Sequence, residues 1–385
     1  MANVLTDLAA DIYRAVDIVG REQVGIIPGL TINAGSEGAA FGDTVRAAFT
    51  AEPTINTSYA PAMTIPEGDD QTVSNKTMTI DQVANIQIPW TGEDIKHLNN
   101  GAGYETIYGD QIAQAMRKIS NTIETYAGLQ LKNGASRAHG TAGTTPFGSN
   151  FNEIAEVRKI LVDNGTPMDG QITLAINSAA GVKLRNLAQL QSVNSAGNEE
   201  LLRRGTLLDL QGLMLKESAG IASHTKGGMT GADITAATGP IGATALPFDG
   251  GTVNTTGFAV GDVIAMSGDT GKYIVSVGST ATSGTVTINE PGLQSLAAED
   301  ATITVGNSYT GNIAFHRAAA ELVVRPPAQP FGGDAAVDRM TIQDPFSGLV
   351  FEIAVYKGYG KTMFDITTFY GMKVWKPEFV STLLG

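Results

Sequence analysis

Residues 105–133, ETIYGDQIAQAMRKISNTIETYAGLQLKN, carry the clearest pattern in this chain. Ile112, Ala115, Met116, Ile119, Ile123, Tyr126, Ala127 and Leu131 recur at three- and four-residue spacing, which puts them on one face of a helix. Gln111, Gln114, Arg117, Lys118, Asn121 and Glu124 occupy the rest, and Gly134 stops the run. At about 1.5 Å per residue the helix spans roughly 40 Å, longer than an average globular helix.

Toward the N-terminus the period changes from helical to two. Met63 and Ile65 alternate with polar residues, then Met78 and Ile80, then Ile86, Ile88 and Trp90. Between them Glu67-Gly68-Asp69-Asp70 forms a polar tip, so the spacing predicts a long β-hairpin over 61–90. A two-stranded ribbon buries little and needs something to lie against. The stretch before residue 60 is rich in Gly, Pro and Ala and has little period. At its start, Leu8, Ile12, Val16 and Val19 predict a short amphipathic helix over 6–19, capped by Thr6 or Asp7.

Toward the C-terminus, Asn152 is expected to cap a helix lined by Ile154, Val157, Ile160 and Leu161 and ended by Gly165 and Pro167. Ile172, Leu174 and Ile176 then read as a strand, and Ser178 as the cap of a helix carrying Val182, Leu184 and Leu187. This order implies an α/β layer over a buried strand. The composition shifts near residue 222. Residues 227–310 hold one Lys (Lys272), no Arg and seven acids, and are dense in Thr, Gly and Val. Short alternating runs, such as 262–266 and 284–288, are punctuated by turn residues, as in a small barrel or sandwich. This reads as an inserted β module. Helical and strand character returns at 312–327. Phe351, Ile353 and Val355 alternate, KGYGK at 357–361 turns, and 362–375 carries two more strands.

The 385 residues allow two or three compact units. Only 16% are charged and the net charge is −13. Low charge means much neutral surface, which is either covered by Thr, Ser, Asn and Gly or buried between subunits. No cluster of Lys and Arg suits phosphate clamping, so specific nucleic-acid binding is not expected. No stretch reaches the ~18–20 apolar residues of a membrane span. The N-terminus lacks the basic and apolar regions of a secretory signal. Cysteine is absent, which removes disulfides, thiolate metal sites and thiol nucleophiles.

Catalytic patterns are weak. Gly358-Tyr359-Gly360-Lys361-Thr362 suggests a phosphate loop, but Val355 stands where the first Gly is needed, so a hairpin turn is expected. Ser223-His224-Thr225-Lys226 matches the Ser-x-x-Lys of some hydrolases without its companion motifs. His97, His139, His224 and His316 are scattered, and none has metal-ligand spacing. No catalytic, cofactor-binding or metal residue is assigned, and no enzyme activity is expected.

The order of elements resembles the Hong Kong 97-type fold of tailed-bacteriophage major capsid proteins, most nearly the coat proteins of short-tailed phages of the P-twenty-two type. The resemblance rests on FNEIAEVRKILVDNGTPMDGQITLAIN (151–177), GFAVGDVIAM (257–266) and FYGMKVWKPEFV (369–380). It implies an α+β fold with an N-arm at 1–60, an E-loop hairpin at 61–92, and a P-domain from 93–150 with its spine helix at 105–133. An A-domain would fill 151–221 and 312–345, interrupted by a barrel-like domain at 222–311, and the P-domain would close at 346–385. It further implies an icosahedral shell of hexamers and pentamers around double-stranded DNA, assembled in the host cytoplasm. Partners would be a separate scaffolding protein, a portal and a decoration protein, with no membrane. Glu67, Asp69 and Asp70 at the hairpin tip would meet basic residues of a neighbour. Arg117, Lys118 and Lys132 on the helix and Lys76 on the hairpin are the candidate intersubunit contacts. The alternatives are an encapsulin-like compartment, a surface-layer or tail protein, and a hydrolase using Ser223 and Lys226.

Overall fold

Alternating apolar and polar side chains build most of this chain into strands, and one long helix covers them. The computed structural model describes residues 24–50, 73–98, 104–187, 209–235, 238–344 and 347–385, with isolated positions between. Strands β1 (Thr31–Ala34), β2 (Thr44–Thr50), β3 (Val73–Thr79) and β4 (Gln82–Thr91) lead to a short helix α1 (Gly92–Leu98) and the long helix α2 (Tyr104–Asn133). The helix expected over 105–133 is thus present with nearly those bounds.

The hairpin is built differently from the expectation. β3 pairs with β2, from Thr44 opposite Thr79 to Thr50 opposite Val73, and the two form a sheet of their own. β4 leaves that ribbon and joins the main sheet. Ile86, Ile88 and Trp90 pack there against the core under α2, which removes more apolar area from water than a two-stranded ribbon would. Met63 and Ile65, expected in the first strand, are exposed and in no strand. The tip acids and the 6–19 helix lie outside the described residues.

After α2 come β5 (Arg137–His139), α3 (Asn152–Asp163), β6 (Ile172–Ile176), α4 (Ser178–Arg185) and β7 (Met214–Glu217). β6 is buried at every position, with Ile154, Val157 and Leu161 of α3 and Leu184 of α4 in its core. The expected caps are both displaced: α3 has Phe151 at its N-cap position with no side-chain cap bond, and α4 is capped one residue earlier, by Asn177. The Asn152 N–H donates to the Asn150 side chain at 3.1 Å, and the Ala180 N–H to Asn177 Oδ1 at 2.9 Å. A capping side chain must sit outside the first helical residue to reach its free N–H groups.

The Thr/Gly/Val-rich segment holds β8 (Ser223–His224), β9 (Met229–Thr230), β10 (Ala232–Ile234), β11 (Thr238–Gly239), β12 (Ala245–Asp249) and β13 (Thr252–Val253). It continues with β14 (Val263–Met266), β15 (Tyr273–Val277), β16 (Gly284–Ile288), β17 (Ala297–Ala298) and β18 (Thr302–Val305). Six of these close on themselves in the order β14-β18-β10-β12-β16-β15, every pairing antiparallel, with β15 returning to β14. Closure leaves no bare edge within the ring. Its own core contains Phe248, Ile264, Tyr273, Val286, Ile288 and Ile303.

The chain returns through β19 (Tyr309–His316), β20 (Ala320–Arg325), β21 (Ala336–Gln343), β22 (Val350–Gly358), β23 (Lys361–Val374) and β24 (Val380–Leu384). One sheet runs β1-β20-β23-β22-β21, with β4 on the other side of β23. The other runs β5-β24-β19-β6-β7 and meets the barrel where Arg137 pairs with Tyr273. Ile112, Met116, Ile119, Ile123, Ala127 and Leu131 of α2 share one core with Phe351, Ile353, Phe364 and Ile366 of the first sheet. The two strands expected after KGYGK are one strand of 14 residues. Gly371 does not break it; a Cβ there would meet Thr79 O at 2.2 Å, so glycine admits the end of β3. KGYGK itself is a hairpin turn, with Gly358 opposite Lys361 and Gly360 at φ +65. Among the described residues no helix is long and apolar enough to cross a membrane.

Candidate functional site

Helix α2 is pinned to distant segments by two buried polar groups on what its spacing marks as the polar face. Glu124 is 2% exposed. Its Oε1 accepts the Gly25 N–H at 2.8 Å, the Ile26 N–H at 2.7 Å and the Ser218 hydroxyl at 2.6 Å, while Oε2 accepts the Ile27 N–H at 3.0 Å. One carboxylate thereby satisfies the free N–H groups at the start of the 3-10 turn Ile27–Gly29. Gly220 lets the chain pass, since a Cβ there would meet Glu124 at 2.6 Å. Helical spacing alone puts Glu124 on the solvent side; the segments that pack over it reverse that expectation.

At the last turn, Lys132 is 3% exposed and Nζ lies 3.2 Å from His224 Nδ1. His224 Nε2 lies 2.8 Å from Asp262 Oδ1. Asp262 is fully buried and also accepts the Gly227 N–H at 2.9 Å and the Ala259 N–H at 2.7 Å. An ammonium has only donors, so His224 accepts at Nδ1 and donates from Nε2 to the carboxylate. Burial pushes the Lys132 ammonium below its ordinary value, with Asp262 opposing. The chain Lys132–His224–Asp262 joins the helix end to the barrel. Buried this deeply, it is a structural connection and not a substrate site. Lys132 is therefore not a surface contact, contrary to the expectation: the returning strand covers it, Gly311 lying against its aliphatic stem.

A third cluster sits on β21 and β22 of the first sheet. Arg339 donates to Glu352 and to Asp334, and the Tyr356 hydroxyl donates to Asp334 at 2.7 Å. The Tyr356 hydroxyl and the Arg339 guanidinium hold the Asp334 carboxyl down to about 2. Burial pushes Glu352 up, with Arg339 opposing.

The remaining candidate contacts are dispersed. Glu67, Asp69 and Asp70 lie outside the described residues. Lys76 is half-buried on β3, opposite Ala47, and Arg117 and Lys118 are exposed on α2. Ser223 is exposed on β8, opposite Thr310, and the Lys226 ammonium donates to Asn307 at 3.3 Å. His316 Nε2–H donates to Asp169 Oδ1 at 3.0 Å, and its Nδ1 accepts the Ala318 N–H at 3.1 Å. Among the described residues no group of three or more His, Cys, Asp or Glu could hold a metal ion. Glu124 had no signal in the sequence, because its partners lie 94 to 99 positions away, and for Asp262 only the Ala259 N–H is local, while His224 and Gly227 lie 38 and 35 positions away.

No protein-family model matches this chain, and no curated protein matches it. Among solved structures it is similar to one from Mycobacterium phage Che8, at 16% identity, covering 89% of this chain and 84% of that one, with a TM-score of 0.48. It is also similar to a chain in the capsid structure of the cyanophage P-SCSP1u, at 11% identity over 92% and 86%, with a TM-score of 0.48. A third is the virus-like particle from Pyrococcus furiosus, at 10% identity over 97% and 96%, with a TM-score of 0.41.

Proposed function

We propose that this chain is a shell subunit, the major capsid protein of a tailed bacteriophage, with no catalytic role. The observation that carries the reading is the β2–β3 ribbon. Seven residue pairs stand as a separate two-stranded sheet, anchored on the body at its base by Met78 and Ile80. Such a ribbon is marginal in water and gains from lying on another surface, which a neighbouring copy supplies. The low charge of the chain, 16%, fits extensive burial between copies.

In this reading the ribbon corresponds to the E-loop, α2 to the spine helix, and the sheet of β1, β4 and β20–β23 to the P-domain. The sheet of β5, β6, β7, β19 and β24, with α3 and α4, corresponds to the A-domain, and the barrel to an insertion. The acidic barrel and the absence of a basic cluster in the sequence suit a wall that does not grip packaged DNA. Hexamers and pentamers, a separate scaffolding protein, a portal and a decoration protein belong to the same proposal. Electron microscopy of the protein expressed with its neighbouring genes tests it. Uniform hollow shells are expected; a monomer or small oligomer in the presence of a scaffolding candidate overturns it.

A further inference from the structure

Beside the shell reading, and resting on it, two features of one sheet end fit each other across two copies. The first is the turn Lys357-Gly358-Tyr359-Gly360-Lys361. Tyr359 is fully exposed at its tip, 106% relative to a free side chain, and both lysines are exposed. The tip is held firmly: Lys357 pairs with Thr362 and Gly358 with Lys361, while the Gly92 N–H donates to Gly360 O at 3.2 Å. A large aromatic on a braced two-residue turn loses little freedom on docking, which is the character of an interface anchor.

The second feature is an open groove of about 700 Å3 between β4 and the first turns of α2. Ile86, Ile88, Trp90 and Ala115 give it an apolar lining, Gln111 and Gln114 offer amide groups, and Asp94 and Asp110 supply negative charge. Its volume accommodates an aromatic side chain with flanking backbone. The charges complement the tip, two cations beside the tyrosine meeting two carboxylates beside the apolar lining.

The placement adds a geometric point. Lys361 is directly opposite Thr91 in the β4–β23 pairing, so tip and groove are neighbours at one end of the same sheet. The tyrosine is nonetheless fully exposed and does not line the groove of its own chain. Two copies meeting at this end could each insert a tip into the other's groove, a self-complementary contact.

We propose that the Lys357–Lys361 turn of one copy docks in the β4–α2 groove of a second copy, with Tyr359 as anchor and Lys357 and Lys361 facing Asp94 and Asp110. The chain has no cysteine, so the contact is open to directed cross-linking. One preparation carries Gly358→Cys, which keeps the Tyr359 anchor and adds a Cβ whose one neighbour within 4 Å is Lys361 O, and another carries Gln114→Cys; both positions are exposed, so the fold tolerates the changes. The two are mixed under assembly conditions and oxidised, and assembly is followed by sedimentation. A disulfide-linked dimer several-fold more abundant in the mixture than in either preparation alone is expected. Lys357→Glu with Lys361→Glu should abolish it, and Asp110→Lys should restore part of it.

Shells that form without that cross-link would overturn the docking while leaving the shell reading intact. The same holds if Phe331→Cys, at another fully exposed aromatic, links to Gln114→Cys in place of the Gly358 position. Chains that remain monomeric at every concentration, with a scaffolding candidate added, would overturn both.

Discussion

Glu124 Oε1 accepts the Ile26 N–H at 2.7 Å, joining residues 98 positions apart. The same carboxylate takes the Gly25 and Ile27 N–H groups and the Ser218 hydroxyl, so it ties the segment before β1 and the segment after β7 to the middle of α2. Glu124→Ala orphans these donors in a buried place. A buried donor without a partner costs about 1–3 kcal/mol, and partial relaxation admits water. The variant should lose about 2–4 kcal/mol in urea unfolding of the unassembled subunit. A loss below about 1 kcal/mol would mean the clamp contributes little.

Asp262 and Lys132 should respond unequally. Asp262→Ala orphans the Gly227 and Ala259 N–H groups and leaves a buried ammonium without its counter-charge. Breaking a buried ionic arrangement from one side typically costs about 3–5 kcal/mol. Lys132→Met also breaks the arrangement from one side, but Asp262 keeps the His224 Nε2–H and both backbone N–H groups, so the loss should be smaller, about 1–3 kcal/mol. Equal losses in the two variants, by thermal unfolding, would contradict this arrangement.

Alkaline pH should loosen the fold through its tyrosines. Burial, the largest cause in each case, raises Tyr126, Tyr273 and Tyr309 above the ordinary value of 10.0, and Tyr273 reaches about 12. The unfolded chain therefore releases these protons first as pH rises. Their contribution is complete below pH 10 and is lost between pH 10 and the folded values. The urea midpoint should fall across that window, and Tyr273→Phe should make the fall shallower. A midpoint level through that window would refute the assignment.

The barrel carries a removable repulsion. Asp233 stands directly opposite Asp249 in the β10–β12 pairing, which puts both carboxylates on one outer face. Like charges so placed are destabilising. Asp249→Lys should raise the barrel's melting point, by an effect of a few tenths of a kcal/mol that shrinks with added salt. An unchanged melting point at low salt would show that the carboxylates already avoid each other.

Deleting residues 66–72 tests the ribbon's proposed role outside the subunit. Thr50 and Val73 are paired, so the two ends of the 51–72 connection, of which this segment is part, already lie side by side. The shortened connection still has residues 51–65 to close the loop, so the subunit should fold with unchanged stability and fail to close shells. Normal shells in negative stain would end that account of the ribbon.

Local periodicity makes several elements legible in the amino-acid sequence. The apolar stripe of α2 follows from residues three and four apart, the buried strand β6 from 172–176, and the turn at KGYGK from glycines flanking two alternating runs. The β module is readable because it is dense in Thr, Gly and Val, with alternating runs such as 284–288 set between turn residues. These are properties of near neighbours, so the sequence by itself determined them.

Pairing is a property of distant segments, and only the tertiary structure decided it. The alternation of 73–79 says that it is a strand but not that its partner is 44–50 instead of 61–65. Barrel closure, with β15 returning to β14, is likewise invisible in any single strand. The helical spacing of α2 puts Glu124 among the solvent-facing residues and leaves Lys132 available as a surface contact. Both are buried because segments 25–27, 218–224 and 261–262 arrive from elsewhere and bring donors, an imidazole and a carboxylate that make burial tolerable. A helix face records where apolar groups must go; it does not record which polar groups will find partners once water is excluded.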